Sequence, residues 1–148
     1  MATRRIAPVV YWFCGELVLC VVASGCGNRP NLPPTARVSG TVTLDGQPLP
    51  RGTVQFAPDT AQGTAGPSGV GCIDEEGRFE ISTAGVQGAI VGHHKISVTA
   101  EAEYDQTQIS MGRSLIPRRY NNPDSSGLTA EVEENEKNEI VLELHSGS

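Results

Sequence analysis

The sequence predicts an all-β domain, a β-sandwich of seven strands in two stacked antiparallel sheets, behind a short N-terminal signal segment. Three observations predict it. Apolar residues recur with a period of two in several short runs, no window carries a helical repeat, and 17 glycines and 10 prolines punctuate the 148 residues too often for long helices. Short strands separated by turn chemistry bury their alternate faces most economically in two packed layers.

Before the strands comes an address. Arg4 and Arg5 open an apolar run that ends in Val22-Ala23-Ser24-Gly25-Cys26. A basic start, an apolar middle and small residues before a cut site are the parts of an export signal. A cysteine directly after the cut resembles the lipobox of bacterial lipoproteins, which implies cleavage after Gly25 and a lipid on Cys26. Two features depart from that pattern: Ala23 stands where a larger aliphatic residue is usual, and Glu16 costs about 2.5–3.5 kcal/mol in an apolar core. An uncut membrane anchor is the competing reading. Ile6 to Val22 falls short of the ~20 apolar residues that span a bilayer and contains Pro8, Gly15 and Glu16. Thr3 and Ala7 around the arginine pair fit a twin-arginine signal poorly, so general secretion is expected.

Residues 1–25 are therefore read as signal peptide and 26–36 as a lipidated tether, whose Pro30, Pro33 and Pro34 stiffen a spacer extending by about 3.1 Å per residue. Gly27 is not the aspartate that retains enteric lipoproteins at the inner membrane, which favours the outer one. Loss of Arg4, Arg5 and Glu16 makes the remainder more acidic than the −6 of the whole chain. No basic stripe survives, so nucleic acid is not an expected partner. Of the four cysteines, Cys14 and Cys20 leave with the signal and Cys26 is acylated. Cys72 then has no disulfide partner, and its neighbours Val70 and Ile73 predict burial.

The domain proper is expected over 37–144. Val38, Val42 and Leu44 alternate with Ser39, Thr41 and Thr43 in the first strand, and Asp45-Gly46 turns the chain. Val54 and Phe56 mark a second strand ending by Pro58, and Asp59 to Gly69 reads as a mobile loop. Further strands follow at Val70 to Ile73, at Phe79 with Ile81, at Ile96, Val98 and Ala100, at Leu128, Ala130 and Val132, and at Ile140, Leu142 and Leu144. Asp74-Glu75-Glu76-Gly77 is predicted to join the third and fourth strands, with Gly77 left-handed, and Asn135 to Asn138 to join the last two. Residues 145–148 read as a disordered tail.

Glu101 to Gly127 is long for structureless chain, so it is either partly ordered or functional. Its Tyr104, Arg113, Arg118, Arg119 and Tyr120 are residue types enriched at binding hot spots and form the candidate binding loop. The competing role for Tyr120, with Ile116, is to plug the open end of the sandwich.

The order VSGTVTLDGQPLPRGTVQFAP, DEEGRFEI and GHHKISV resembles the carboxypeptidase regulatory-like domain, of the transthyretin-like, Greek-key group of β-sandwiches. The later IPRRY and LTAEVEENEKNEIVLEL are similar to the C-terminal part of short bacterial lipoproteins built on that domain. His94 departs from the resemblance, standing where a tyrosine is usual. Such a domain is an accessory beside a separate zinc enzyme in carboxypeptidases, so the resemblance implies no catalysis by itself.

The residues agree. His93 and His94 are adjacent on a strand and point to opposite faces, so they do not share a metal. Gly66-Pro67-Ser68-Gly69 misplaces a glycine for a nucleophile elbow, and the tail lacks the Tyr-Arg-Gly-Ser of hydroxyisourate hydrolase. Solvated turns and strand faces account for Asp74, Glu75, Glu76 and the glutamates 131 to 136 better than a calcium loop does. The expectation is a non-catalytic, lipid-anchored cell-envelope protein with no cofactor or metal, held to the membrane by acyl chains. Its β-sandwich is a structural or binding module, for an envelope protein or a glycan. An accessory glycan- or peptide-binding module is the alternative, and a small hydrolase the remoter one.

Overall fold

The computed structural model describes residues 31–102, 113–134 and 136–147. The described chain is built from strands: β1 Thr35–Ala36, β2 Val38–Leu44, β3 Gln47–Pro48, β4 Gly52–Pro58, β5 Gly69–Ile73, β6 Arg78–Glu80, β7 Ser82–Thr83, β8 Val86–Gln87, β9 Ala89–Ile90, β10 Gly92–Thr99, β11 Leu128–Val132 and β12 Asn138–Leu144. One four-residue helix, α1 (Pro123–Ser126), and two single 3-10 turns complete it. The described residues thus hold twelve strands rather than the seven expected. Five of them are two residues long, too short to leave a period-two trace in the sequence.

The longer strands form one hydrogen-bonded path, β11-β10-β4-β5-β6-β2-β12, while β1 pairs with β9 apart from it. The path narrows between β5 and β6 to a single pair, Ile73 with Phe79. There it curls, and inward side chains from both of its halves meet. Val54, Phe56, Ile96, Val98 and Val132 come from one half and Val38, Val42, Phe79, Leu142 and Leu144 from the other, all buried in one cluster. The rings of Phe56 and Phe79 meet across it at 6.2 Å. The alternation read in β2, β4, β10 and β12 is the one that points these residues inward.

Pairing departs from expectation at the C-terminus. β11 and β12 do not form a hairpin: β11 pairs antiparallel with β10, and β12 lies parallel to β2 from Asn138 beside Val38 to Leu144 beside Leu44. The sheet is therefore not antiparallel throughout. Asn138 shows why the chain crosses here. Its side chain accepts from the Glu133 N–H at 2.8 Å and donates to the Glu133 and Arg37 carbonyls at 3.0 and 3.2 Å, which fastens the connection to the start of β2. The parallel register then brings Leu142 and Leu144 onto the core beside Val42.

The first hairpin is as expected. β5 and β6 pair antiparallel, and Gly77 takes φ +78° while its carbonyl accepts the Val42 N–H. The segment after β4, expected to be mobile, is tied down. Asp59 caps a 3-10 turn through the Ala61 N–H, and buried Thr64 accepts the His93 N–H at 2.8 Å. Turn-forming composition marked this segment as loop but held no sign of the strand it would bond to.

Two poles follow from these directions. The 31–36 segment, the 59–64 turn, Glu133 and Asn138 gather where β2 and β12 begin, joined by bonds such as Val91 N–H to the Pro34 carbonyl. The Asp45–Gly46 turn, the β5–β6 turn and the Glu101–Ser114 bridge lie at the other pole.

Gly40 tests the parallel pairing, because a Cβ there would sit against the Ile140 carbonyl and 2.8 Å from the Phe79 ring. Gly40→Ala is expected to cost about 1–3 kcal/mol in urea unfolding, the usual range for overpacking a filled interior. An unchanged midpoint would mean that β12 does not lie there.

Candidate functional site

Cys26 and Tyr104 lie outside the described residues. The other members of the candidate loop lie among the described residues. Arg113 is exposed and its carbonyl accepts the Ala102 N–H, and Arg118 is exposed in the 3-10 turn Arg118–Asn121. Arg119 and Tyr120 instead hold the chain's own C-terminal segment. The Arg119 guanidinium donates to the carbonyls of Gly147 at 2.6 Å and His145 at 2.7 Å, and to the Tyr120 hydroxyl at 3.0 Å. It also lies 4.7 Å from the centroid of the Tyr120 ring.

Tyr120 and Ile116 are each only 4% exposed. They plug the core, and the Tyr120 hydroxyl accepts the His145 N–H at 3.0 Å. Burial pushes that phenol up, but the bonds from His145 and Arg119 outweigh it and leave it below its ordinary value. Ser146 adds a bond from its N–H to Asp45. Residues 145–147, read as a disordered tail, are thus fastened by backbone bonds that no local pattern announces.

The two histidines separate as alternation requires. His93 is exposed, its Nε2 3.7 Å from a Glu131 carboxylate oxygen. His94 is 1% exposed, packed at 5.7 Å against the Phe56 ring between β4 and β11. Its Nδ1 meets the Gly92 carbonyl at 3.0 Å, and its Nε2 has no partner among the described residues. Burial, with the nearby His93, holds its pKa below the ordinary value; the Gly92 bond opposes this. The tautomer with the proton on Nδ1 satisfies the carbonyl and leaves only a lone pair unbonded.

The acidic turn is occupied by its own chain. The Asp74 carboxylate accepts the N–H groups of Glu76 and Arg78, and Arg78 pairs with Asp74 and Glu76 at 3.2 Å each. Those bonds, led by the Arg78 N–H, hold the Asp74 carboxyl below its usual value. Among the described residues no group of three His, Cys, Asp or Glu side chains converges to hold a metal ion.

A broad trough remains on the outer surface of β5, β6, β2 and β12, about 610 Å³ in volume. Ser39, Gly40 and Thr41 line its floor. Cys72, Asp74, Arg78 and Glu80 stand on one side and Glu139 on the other. Cys72 is exposed, contrary to the burial expected of it. Period two is the reason: Gly69, Gly71 and Ile73 face inward, so Cys72 shares the outer face with Val70, itself 44% exposed. A smaller hollow of about 360 Å³ lies between His93, Glu131, Asp59 and Gln62.

Comparison with protein-family models, with curated proteins and with solved structures found no match to the chain.

His94 makes stability depend on pH. Its folded pKa lies below the ordinary 6.5, so the unfolded chain takes the proton first. The stabilisation is complete above about 6.5 and is lost as pH falls from there to the folded value. Urea midpoints at pH 7.5 and 5.0 should show a drop for the wild type and a smaller drop for His94→Phe. Equal drops in both would contradict this.

The tail latch also carries stability. Tyr120→Phe removes the acceptor for His145 and Arg119, and should cost about 1–2 kcal/mol and increase amide exchange at residues 145–147. Unaltered exchange would show that the tail is held otherwise.

Proposed function

We propose that the chain is a lipid-anchored protein of the bacterial cell envelope whose non-catalytic β body is a structural or binding module. The observation that carries this reading is the run Val22 to Cys26 followed by a proline-rich spacer, with the first strand among the described residues at Thr35–Ala36. Acyl chains contribute about 0.8 kcal/mol per buried methylene, so two or three of them hold a domain of this size durably. With the tether entering at the pole where β2 begins, the opposite pole faces away from the bilayer and the outer trough lies on the flank between the two.

We read the curled path as the two layers of a β-sandwich, of the carboxypeptidase regulatory-like, transthyretin-like kind. Support comes from the single-pair seam between β5 and β6, the two opposed sets of core residues, and the motif order noted in the sequence. No helix among the described residues is long and apolar enough to cross a membrane. Gly27 after the cysteine favours the outer membrane over the inner one.

A binding role is favoured over a purely structural one by the trough. It includes one aromatic side chain, Phe79, and that ring is 3% exposed and belongs to the core. Sugar stacking needs exposed rings, so a peptide suits the trough better than a glycan.

Metabolic labelling with a fatty-acid analogue tests the anchor. Wild-type chain is expected to take the label and sediment with membranes, whereas Cys26→Ser loses the label and is released. Equal labelling of both would overturn the proposal.

A further inference from the structure

β12 closes one end of the hydrogen-bonded path, and among the described residues no strand pairs with its outer margin. Which backbone groups face that margin follows from two contacts. The Leu144 carbonyl accepts the Asp45 N–H at 2.9 Å, and the Ile140 carbonyl faces Gly40. Residues 138, 140, 142 and 144 therefore turn their peptide groups toward β2. In a parallel ladder alternate residues point to opposite sides, so the N–H and C=O groups of Glu139, Val141 and Glu143 face outward. Such a row is a template for a further strand.

The side chains select the occupant. Glu139 and Glu143 are exposed and flank Val141, which is 61% exposed. A second copy pairing antiparallel about Val141 would set Glu139 of one chain against Glu143 of the other, and like charges directly opposite are destabilising. The adjoining trough extends the same sign. Asp74, Glu80 and Glu139 border it, and its one cation, Arg78, is paired with Asp74 and Glu76. The chain as a whole carries −6.

We propose that the margin of β12 receives an extended segment of a partner protein, added as a further strand, with basic residues two positions to either side of an apolar one. The basic side chains lie against Glu139 and Glu143, and the central one covers Val141. Residues of the other parity fall beside half-buried Ile140 and are apolar. This names a partner class for the binding role proposed above and rests on that role. It does not depend on the acyl anchor.

The test uses the full chain in detergent micelles and a labelled peptide, Thr-Lys-Ile-Val-Ile-Lys-Thr, against its counterpart with glutamate for lysine. Fluorescence anisotropy at low salt should show at least about tenfold preference for the basic peptide, and its binding should slow amide exchange at residues 139, 141 and 143. Glu139→Lys combined with Glu143→Lys should reverse the preference. Val141→Pro removes an N–H that β2 does not use, so it should weaken binding about tenfold while leaving the unfolding midpoint in place. If that midpoint falls, N-methylation of the central peptide valine breaks the pairing of an antiparallel strand from the ligand side, and N-methylation of the isoleucine after it that of a parallel one.

Binding that survives Val141→Pro and N-methylation is charge attraction without strand addition, and overturns the proposal. So does a preference that ignores the charge reversal. Concentration-dependent dimers that protect the β12 amides without peptide would assign the margin to a second copy instead. Loss of lipid label with peptide binding intact would count against the anchor alone.

Discussion

The parallel seating of β12 on β2 is the constraint from which most of this structure follows. It joins segments a hundred positions apart, and closing so large a loop costs entropy that local turns cannot offset. What offsets it is burial. Val38 and Val42 on one strand and Leu142 and Leu144 on the other reach the same core, and Gly40 lets the two backbones approach without a side chain between them. The position of β12 also carries Leu144 to the pole where Tyr120 and Arg119 can hold the residues beyond it.

What was legible in the sequence was local. Alternation assigned Val38, Val54, Phe56, Ile96, Val98 and Leu142 to the core, the residues before Gly77 marked a tight turn, and adjacency separated His93 from His94. Pairing partners were not legible, because period two says which face a residue takes but not which strand lies beside it. A short polar run between two strands reads as a hairpin, yet Asn138, bonded to Arg37 and Glu133, leads β12 to β2 instead of back along β11. Cys72 was misplaced by weighing its neighbours rather than its parity.

The candidate loop illustrates the same limit. Arginine and tyrosine are favoured at recognition surfaces, but the features that suit them to a partner also suit them to bonding the backbone of their own chain. Arg119 donates to the His145 and Gly147 carbonyls, and the Tyr120 hydroxyl accepts the His145 N–H. The outer trough had no sequence signature. Ser39 and Thr41 on one strand, Cys72 on a second and Glu139 on a third become neighbours only through the non-local pairings, and each alone is an ordinary solvent-facing residue of a strand.

Backbone NMR of the folded domain addresses the parallel seating most directly. Cross-strand nuclear Overhauser contacts should connect β2 with β12 in the parallel order, from Val38 with Asn138 to Leu44 with Leu144. Contacts running antiparallel between β11 and β12, with none between β2 and β12, would contradict it.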